Sequence, residues 1–250
     1  MNKKGGKISL LVPVRPDSAL ISRFIAEYCG KTFGDTELLL MISSQDTQNG
    51  VFFDQCRKKG IRIFVENASY GQKGHHVYIN ELAKYATGDW ILTLCDDVRI
   101  IKEGWDNHLR EVIDDVDSQK VYCVIPQLMV NGDNFFMISR GWYETVGRVF
   151  GYPNGDSWLG YVIRYIGEPY NNNREVYKDG RVIRSKDVLF EVLDSKDLGE
   201  TYIGGEEGYN RIILNRQEIE LEYGDWLNPV LDAAMKEEGL KLKDAISKGK

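Results

Sequence analysis

The sequence predicts an α/β protein whose mostly parallel central sheet is flanked by helices. Short apolar runs of strand length, at 7–14, 37–42 and 90–94, alternate with segments whose apolar residues recur at helical spacing. Strict strand-helix alternation implies right-handed crossovers and a sheet covered on both faces. With 250 residues, 42% of them hydrophobic and 28% charged, the chain has the size and composition of a globular domain with a full core.

Taken in order, residues 7–14 read as a buried strand cut off by Pro13, Pro16 and Asp17. Asp17 caps a helix carrying Ile21, Phe24, Ile25 and Tyr28, which Gly30 closes. A second strand, 37–42, leads through a polar loop (43–50) to a helix around 51–59 and a strand at 61–65. The helix over 74–86 puts Ile79, Leu82, Ala83 and Ala86 on one face, with Gly88 as its stop. The run 90–94 ends in two adjacent carboxylates, Asp96 and Asp97. A helix with Trp105, Leu109, Val112, Ile113 and Val116 at helical spacing follows.

The character changes after about Val121. Strand-like runs at 121–125 and 134–139 flank a Gly-containing turn, and a helix spans 141–149. A loop, 151–155, leads to a helix capped by Asp156, with Leu159, Val162, Ile163 and Ile166 inward. Residues 182–193 read as β, and 171–173 and 199–208 as loops. From Trp226 an amphipathic helix (Leu227, Val230, Leu231, Ala234) fades into a Lys-rich tail. The expected organisation is one α/β domain over 1–215, in two halves meeting near 120, with a helical appendage at 216–250.

Composition excludes several classes. A net charge of −6, from 32 basic and 38 acidic residues, argues against a nucleic-acid-binding surface. No apolar run reaches transmembrane length, and the first residues lack the apolar core of a signal peptide. Cys29, Cys56, Cys95 and Cys123 are widely spaced, as reduced core thiols are, so a cytoplasmic enzyme is the simplest reading. The Gly-rich dinucleotide fingerprint, the P-loop and the Gly-x-Ser-x-Gly elbow are missing, and His75, His76 and His108 do not have metal-site spacing.

Asp96 and Asp97 hold the most chemistry. Acids at the carboxyl end of a buried strand face the crevice outside the sheet, where they suit a hard divalent cation that bridges phosphate oxygens. The bland alternative is a solvated turn. Asp156 is likewise either a helix cap or a general base beside a Gly-containing loop.

Several pieces stand in a telling order: 8–14 with Arg15; Gly71, Asn80, Ala86, Gly88, Asp89 and Asp97; Arg140, Val146 and Gly147; then 155–159, Arg164 and Gly167. Over about residues 7–170 this set resembles the inverting glycosyltransferases of family 2, which have the GT-A fold. The resemblance implies a GT-A-like nucleotide-diphospho-sugar transferase, with a donor half at about 1–120 and an acceptor half at about 121–215. It implies Mn²⁺ or Mg²⁺ held by Asp97, and Asp156 as the general base. It further implies nucleotide contacts from Pro13, Arg15, Ser44, Asp46, Lys73, Asn80 and Asp96. The implied partners are a nucleoside-diphosphate sugar and a carbohydrate or glycoconjugate acceptor.

The chain also departs from that pattern. Cys95 replaces the first acid of Asp-x-Asp, and Ser43, Ser44 and Asp46 stand where many members read the uracil ring with an Asp. Gly155 replaces the Glu before the base. No His follows His108, which leaves Glu191, Asp194 or solvent to complete a metal shell. Trp158 suits either a sugar face or the core. Two other readings compete: a sugar-phosphate nucleotidyltransferase, which normally has a Gly-rich loop where 12–18 has no Gly, and a non-catalytic carbohydrate-binding or assembly module on the same fold.

Overall fold

The computed structural model describes residues 5–14, 19–47, 49–66, 74–129, 135–152, 155–166, 181–193 and 229–250. The alternating half comprises β1 (Ile8–Pro13), α1 (Ala19–Lys31), β2 (Thr36–Ser43), α2 (Gly50–Lys58), β3 (Arg62–Glu66), α3 (His75–Tyr85) and β4 (Trp90–Thr93). Then come β5 (Val98–Ile100), α4 (Trp105–Val112), β6 (Cys123–Leu128), β7 (Met137–Ser139) and α5 (Arg140–Val146). The described elements end with α6 (Gly155–Ile166), β8 (Val182–Val192) and α7 (Pro229–Ser247).

The strands pair in the order β3-β2-β1-β4-β7-β6-β8-β5. The first four are mutually parallel, and β8 is parallel to β6. Antiparallel pairing joins β4 to β7, β7 to β6, and β8 to β5. The chain winds outward from β1 to β3, then crosses back to lay β4 on the other side of β1. Winding therefore reverses between β1 and β4, which is where a parallel sheet opens a crevice beyond its carboxyl ends.

Strand periodicity divides the core in two. Leu10, Leu38, Leu40 and Leu92 pack on one face with Phe24 of α1, Phe52 of α2 and Leu109 of α4. Their neighbours Leu11, Leu39, Met41 and Ile91 pack on the other with Leu82 of α3, Trp142 of α5, Leu159 of α6 and Leu242 of α7. Burial on both faces is why these strands read as continuous apolar runs.

The structure corrects several expectations. Gly30 lies inside α1, which runs on to Lys31. Gly88 does not stop α3, which ends at Tyr85. Instead Gly88 lets β1 approach, since a Cβ there would lie 2.6 Å from Ser9 Oγ and 2.7 Å from Ser9 N. The helix after Asp97 is preceded by an unexpected strand, β5, and ends at Val112 rather than Val116. The stripe of α7 runs further than expected: Leu231 and Ala234 pack against the core as read, Val230 is exposed, and Met235, Glu238, Leu242 and Ala245 are buried as well. Asp17, Leu227 and the expected loops at 171–173 and 199–208 lie outside the described residues. Among the described residues no helix is long and apolar enough to cross a membrane.

Candidate active site

At the carboxyl edge, β1 ends at Pro13, and Val14 N donates to Met41 O of β2 (2.9 Å). β2 runs directly into a 3₁₀ turn, Ser44–Asp46, fastened by Gln45 N donating to Ser43 Oγ and by Thr47 Oγ1 donating to Ser44 O. Pro13 thus ends one parallel strand, and Ser44 and Asp46 follow the adjacent one. Arg15, Lys73 and Asp194 lie outside the described residues.

Asp96 and Asp97 form the turn between β4 and β5, just beyond the carboxyl end of β4, which pairs with β1 across the switch point. Leu193 N, at the end of β8, donates to Asp97 O (3.0 Å) and holds the turn from the far side. Asp97 Oδ1 is buried without a hydrogen-bond partner. Burial and the neighbouring Asp96 charge push the Asp97 carboxyl up to about 6. Beside it, Arg23 of α1 has Nε and Nη2 buried, also without partners. Burial and the Arg99 charge lower its pKa, against the pull of Glu27, Asp97 and Asp96.

A divalent cation fits this carboxylate. A buried oxygen lacking a donor, in a side chain whose charge is disfavoured, is what a cation would relieve. Among the described residues no three His, Cys, Asp or Glu side chains converge on a metal position. Glu191 is engaged with Arg99, Nη1 to Oε2 at 3.3 Å. A site with so few protein ligands suits a cation that keeps waters and substrate phosphates in its shell, as Mg²⁺ usually does.

Cys95, before the acids, has its Sγ 3.7 Å from His75 Nε2, and the His75 ring stacks on Phe150. Burial, with the His76 charge, pushes His75 down to about 4, so it is a neutral packing group at physiological pH. One turn later Asn80 commits both ends of its carboxamide to the 149–150 backbone. Nδ2 donates to Phe150 O (2.6 Å), and Oδ1 accepts from Val149 N (2.8 Å) and Phe150 N (3.1 Å). Asn80 therefore ties α3 to the segment that leads towards α6.

Asp156 is the second residue of α6, one position inside the helix rather than at the cap expected for it. The helix dipole at that end favours a carboxylate. Trp158, two residues on, is a core side chain and not a sugar platform. It is 2% exposed, and its Nε1 donates to Glu238 Oε1 (3.2 Å). Arg148 caps this pair, bonding Glu238 through Nε and lying over the Trp158 ring. Arg140 is also structural: Nη2 donates to Ala86 O and Gly88 O, closing the turn between α3 and β4.

Solved structures share this architecture. The mannosyltransferase PcManGT from Pyrobaculum calidifontis, in complex with GDP-Man and Mn²⁺, superposes with a TM-score of 0.55 at 12% identity, over 98% of this chain and 76% of its own. The fold is GT-A. S. aureus TarS with UDP-GlcNAc gives 0.56 at 12% identity over 94% of this chain and 71% of its own. Glucosyl-3-phosphoglycerate synthase from Mycobacterium tuberculosis, in complex with Mn²⁺, UDP and glucosyl-3-phosphoglycerate, gives 0.53 at 12% identity over 76% of this chain and 73% of its own. No family model matches the sequence, and no curated protein matches it. At such identities the likeness establishes the fold and leaves the activity to be argued from the site.

Proposed function

We propose that this protein is a metal-dependent glycosyltransferase that moves a sugar from a nucleoside-diphosphate donor to an acceptor hydroxyl with inversion. The observation that carries the reading is the partnerless, buried Asp97 oxygen at the switch point of a GT-A sheet. The solved neighbours with Mn²⁺ and GDP-Man or UDP in the corresponding fold support it.

In this reading Pro13, Arg15, Ser44, Asp46, Lys73 and Asp96 line the nucleotide, and Asp97 holds Mn²⁺ or Mg²⁺. When bound, the cation offsets the negative charge that develops on the departing diphosphate. Asp156 accepts the proton of the acceptor hydroxyl as its oxygen attacks the anomeric carbon opposite the leaving group, which inverts that centre. Asn80 contributes through the 149–150 backbone that it holds.

The base is tested by Asp156→Asn. An amide cannot take the proton, so transfer falls about 10²–10⁴-fold while the dissociation constant for the nucleoside diphosphate stays unchanged. Full transfer activity in Asp156→Asn would remove it from the mechanism.

A further inference from the structure

We infer that Arg23, on the first helix, is a ligand for the donor's diphosphate, acting beside Asp97 as the anion-binding half of the site. The inference rests on the glycosyl-transfer reading and adds a residue that the sequence motifs do not mark. Arg23 is the fifth residue of α1, a helix that runs back from the carboxyl edge and packs against β5. Its Nε and Nη2 are buried and lack acceptors. Buried guanidinium donors without acceptors are costly, and they persist where a ligand supplies the acceptor.

The neighbouring carboxylates are otherwise engaged. Glu27, one turn further along α1, accepts from Ile100 N (2.7 Å) and pairs with Arg99 Nε at 3.6 Å. Arg99 also pairs with Glu191 across the β5–β8 ladder. Arg23 is the cation left over. Asp97 Oδ1 is the acid oxygen left over, and each group feels the other's charge.

An unsatisfied carboxylate next to an unsatisfied guanidinium, with no bond between these atoms, matches a ligand carrying both signs. A divalent cation on a diphosphate is such a ligand: the cation goes to Asp97 and a phosphoryl oxygen to the planar fork of Arg23. An anionic group on the acceptor would present the same phosphate chemistry to Arg23, and the test must tell the two sources apart.

The test measures calorimetric binding of UDP, GDP, the matching monophosphates and inorganic diphosphate, each with Mn²⁺, and of inorganic phosphate to the nucleotide-saturated protein, for wild type, Arg23→Gln and Arg23→Lys. Loss of a charge-assisted pair weakens binding by about 10- to 100-fold. We expect that loss in Arg23→Gln for the diphosphates, a much smaller loss for the monophosphates, and an intermediate one in Arg23→Lys. The melting temperature should hold or rise, because Arg23→Gln removes buried donors that lack partners. Should Arg23→Gln fold poorly, the Arg23→Lys affinities decide. Unchanged diphosphate affinity in both variants overturns the inference and leaves the glycosyltransferase reading standing. Loss only of inorganic phosphate binding to the nucleotide-saturated enzyme also overturns it, by assigning Arg23 to the acceptor. Arg23-dependent binding of inorganic diphosphate without any nucleotide binding would keep Arg23 as a diphosphate ligand but sink the glycosyltransferase reading, and with it the donor as that ligand's source.

Discussion

The two ends of the parallel sheet treat charge in opposite ways. At the amino edge every ionised group of the central network has partners. Glu37 accepts from Ser9 Oγ (2.6 Å), Thr87 N (2.6 Å), Lys7 Nζ (3.1 Å) and Arg62 Nη1 (3.3 Å). Burial opposes its ionisation, yet these bonds pull its carboxyl down to about 2. Nearby, fully buried Asp106 accepts from Phe33 N, Gly34 N and Arg110, while Arg110 also donates to Gly6 O and Asp35 O. At the carboxyl edge Asp97 is pushed the other way, to about 6, and Arg23 Nε and Nη2 are buried beside it without acceptors. The same residue types are structural where the fold satisfies them and available to a ligand where it does not.

Removing an amino-edge charge should be the most damaging change. Asp106→Ala removes the carboxylate that neutralises Arg110 and strands the Phe33 and Gly34 backbone donors, at a cost of about 3–5 kcal/mol in unfolding free energy. A denaturant titration in which Asp106→Ala loses under 1 kcal/mol, roughly the effect of an exposed pair, would break the contrast.

At the carboxyl edge the sign reverses. A carboxyl raised from 3.8 to about 6 loses folded-state stability as pH rises through that window, and the loss is complete above it. Metal-free Asp97→Asn should therefore gain on wild type from pH 3.8 upward, by at most about 3 kcal/mol near pH 7. A variant that is less stable than wild type across that range would show that Asp97 is a structural acid.

Glu37 has the opposite linkage. Its stabilisation is full above pH 4.5 and disappears as pH falls towards about 2. Glu37→Gln should cost about 1–3 kcal/mol at neutral pH, discounted because Lys7 and Arg62 are partly in solvent, and well under about 1 kcal/mol near pH 2. Melting curves across pH check the convergence.

The sequence made the parallel half readable because its strands are apolar throughout and its helices keep period. It concealed β5, which has three residues with Arg99 at the centre and depends on β8, some ninety positions away. It also hid the reach of α7. Gly239 looks like a break, but it is where the helix crosses α6 so closely that a Cβ would sit 2.4 Å from Tyr165 Cβ. Glu238 lies in a charged run and is nevertheless buried on Trp158 and Arg148. Of the residues proposed for the site, Asp97 was legible because an acid follows closely on a buried strand. Arg23 was not, because a lone Arg between Ile21 and Phe24 looks like any polar position of an amphipathic helix. Asp106 and Arg110 stand four residues apart, a spacing that surface ion pairs share, and only the fold shows that this pair is buried.

Electron paramagnetic resonance of Mn²⁺ titrated with UDP or GDP tests the contrast most directly, since free and bound ion are counted in one sample. Wild type should take up one Mn²⁺ per chain in a nucleotide-dependent manner. Glu37→Gln should bind it equally despite a lower melting temperature. Asp97→Asn should lose at least about 100-fold in affinity while remaining folded, because a charged oxygen ligand has been removed. Undiminished Mn²⁺ uptake by folded Asp97→Asn, or its loss from folded Glu37→Gln, would contradict the division of the sheet into a satisfied edge and a ligand-seeking one.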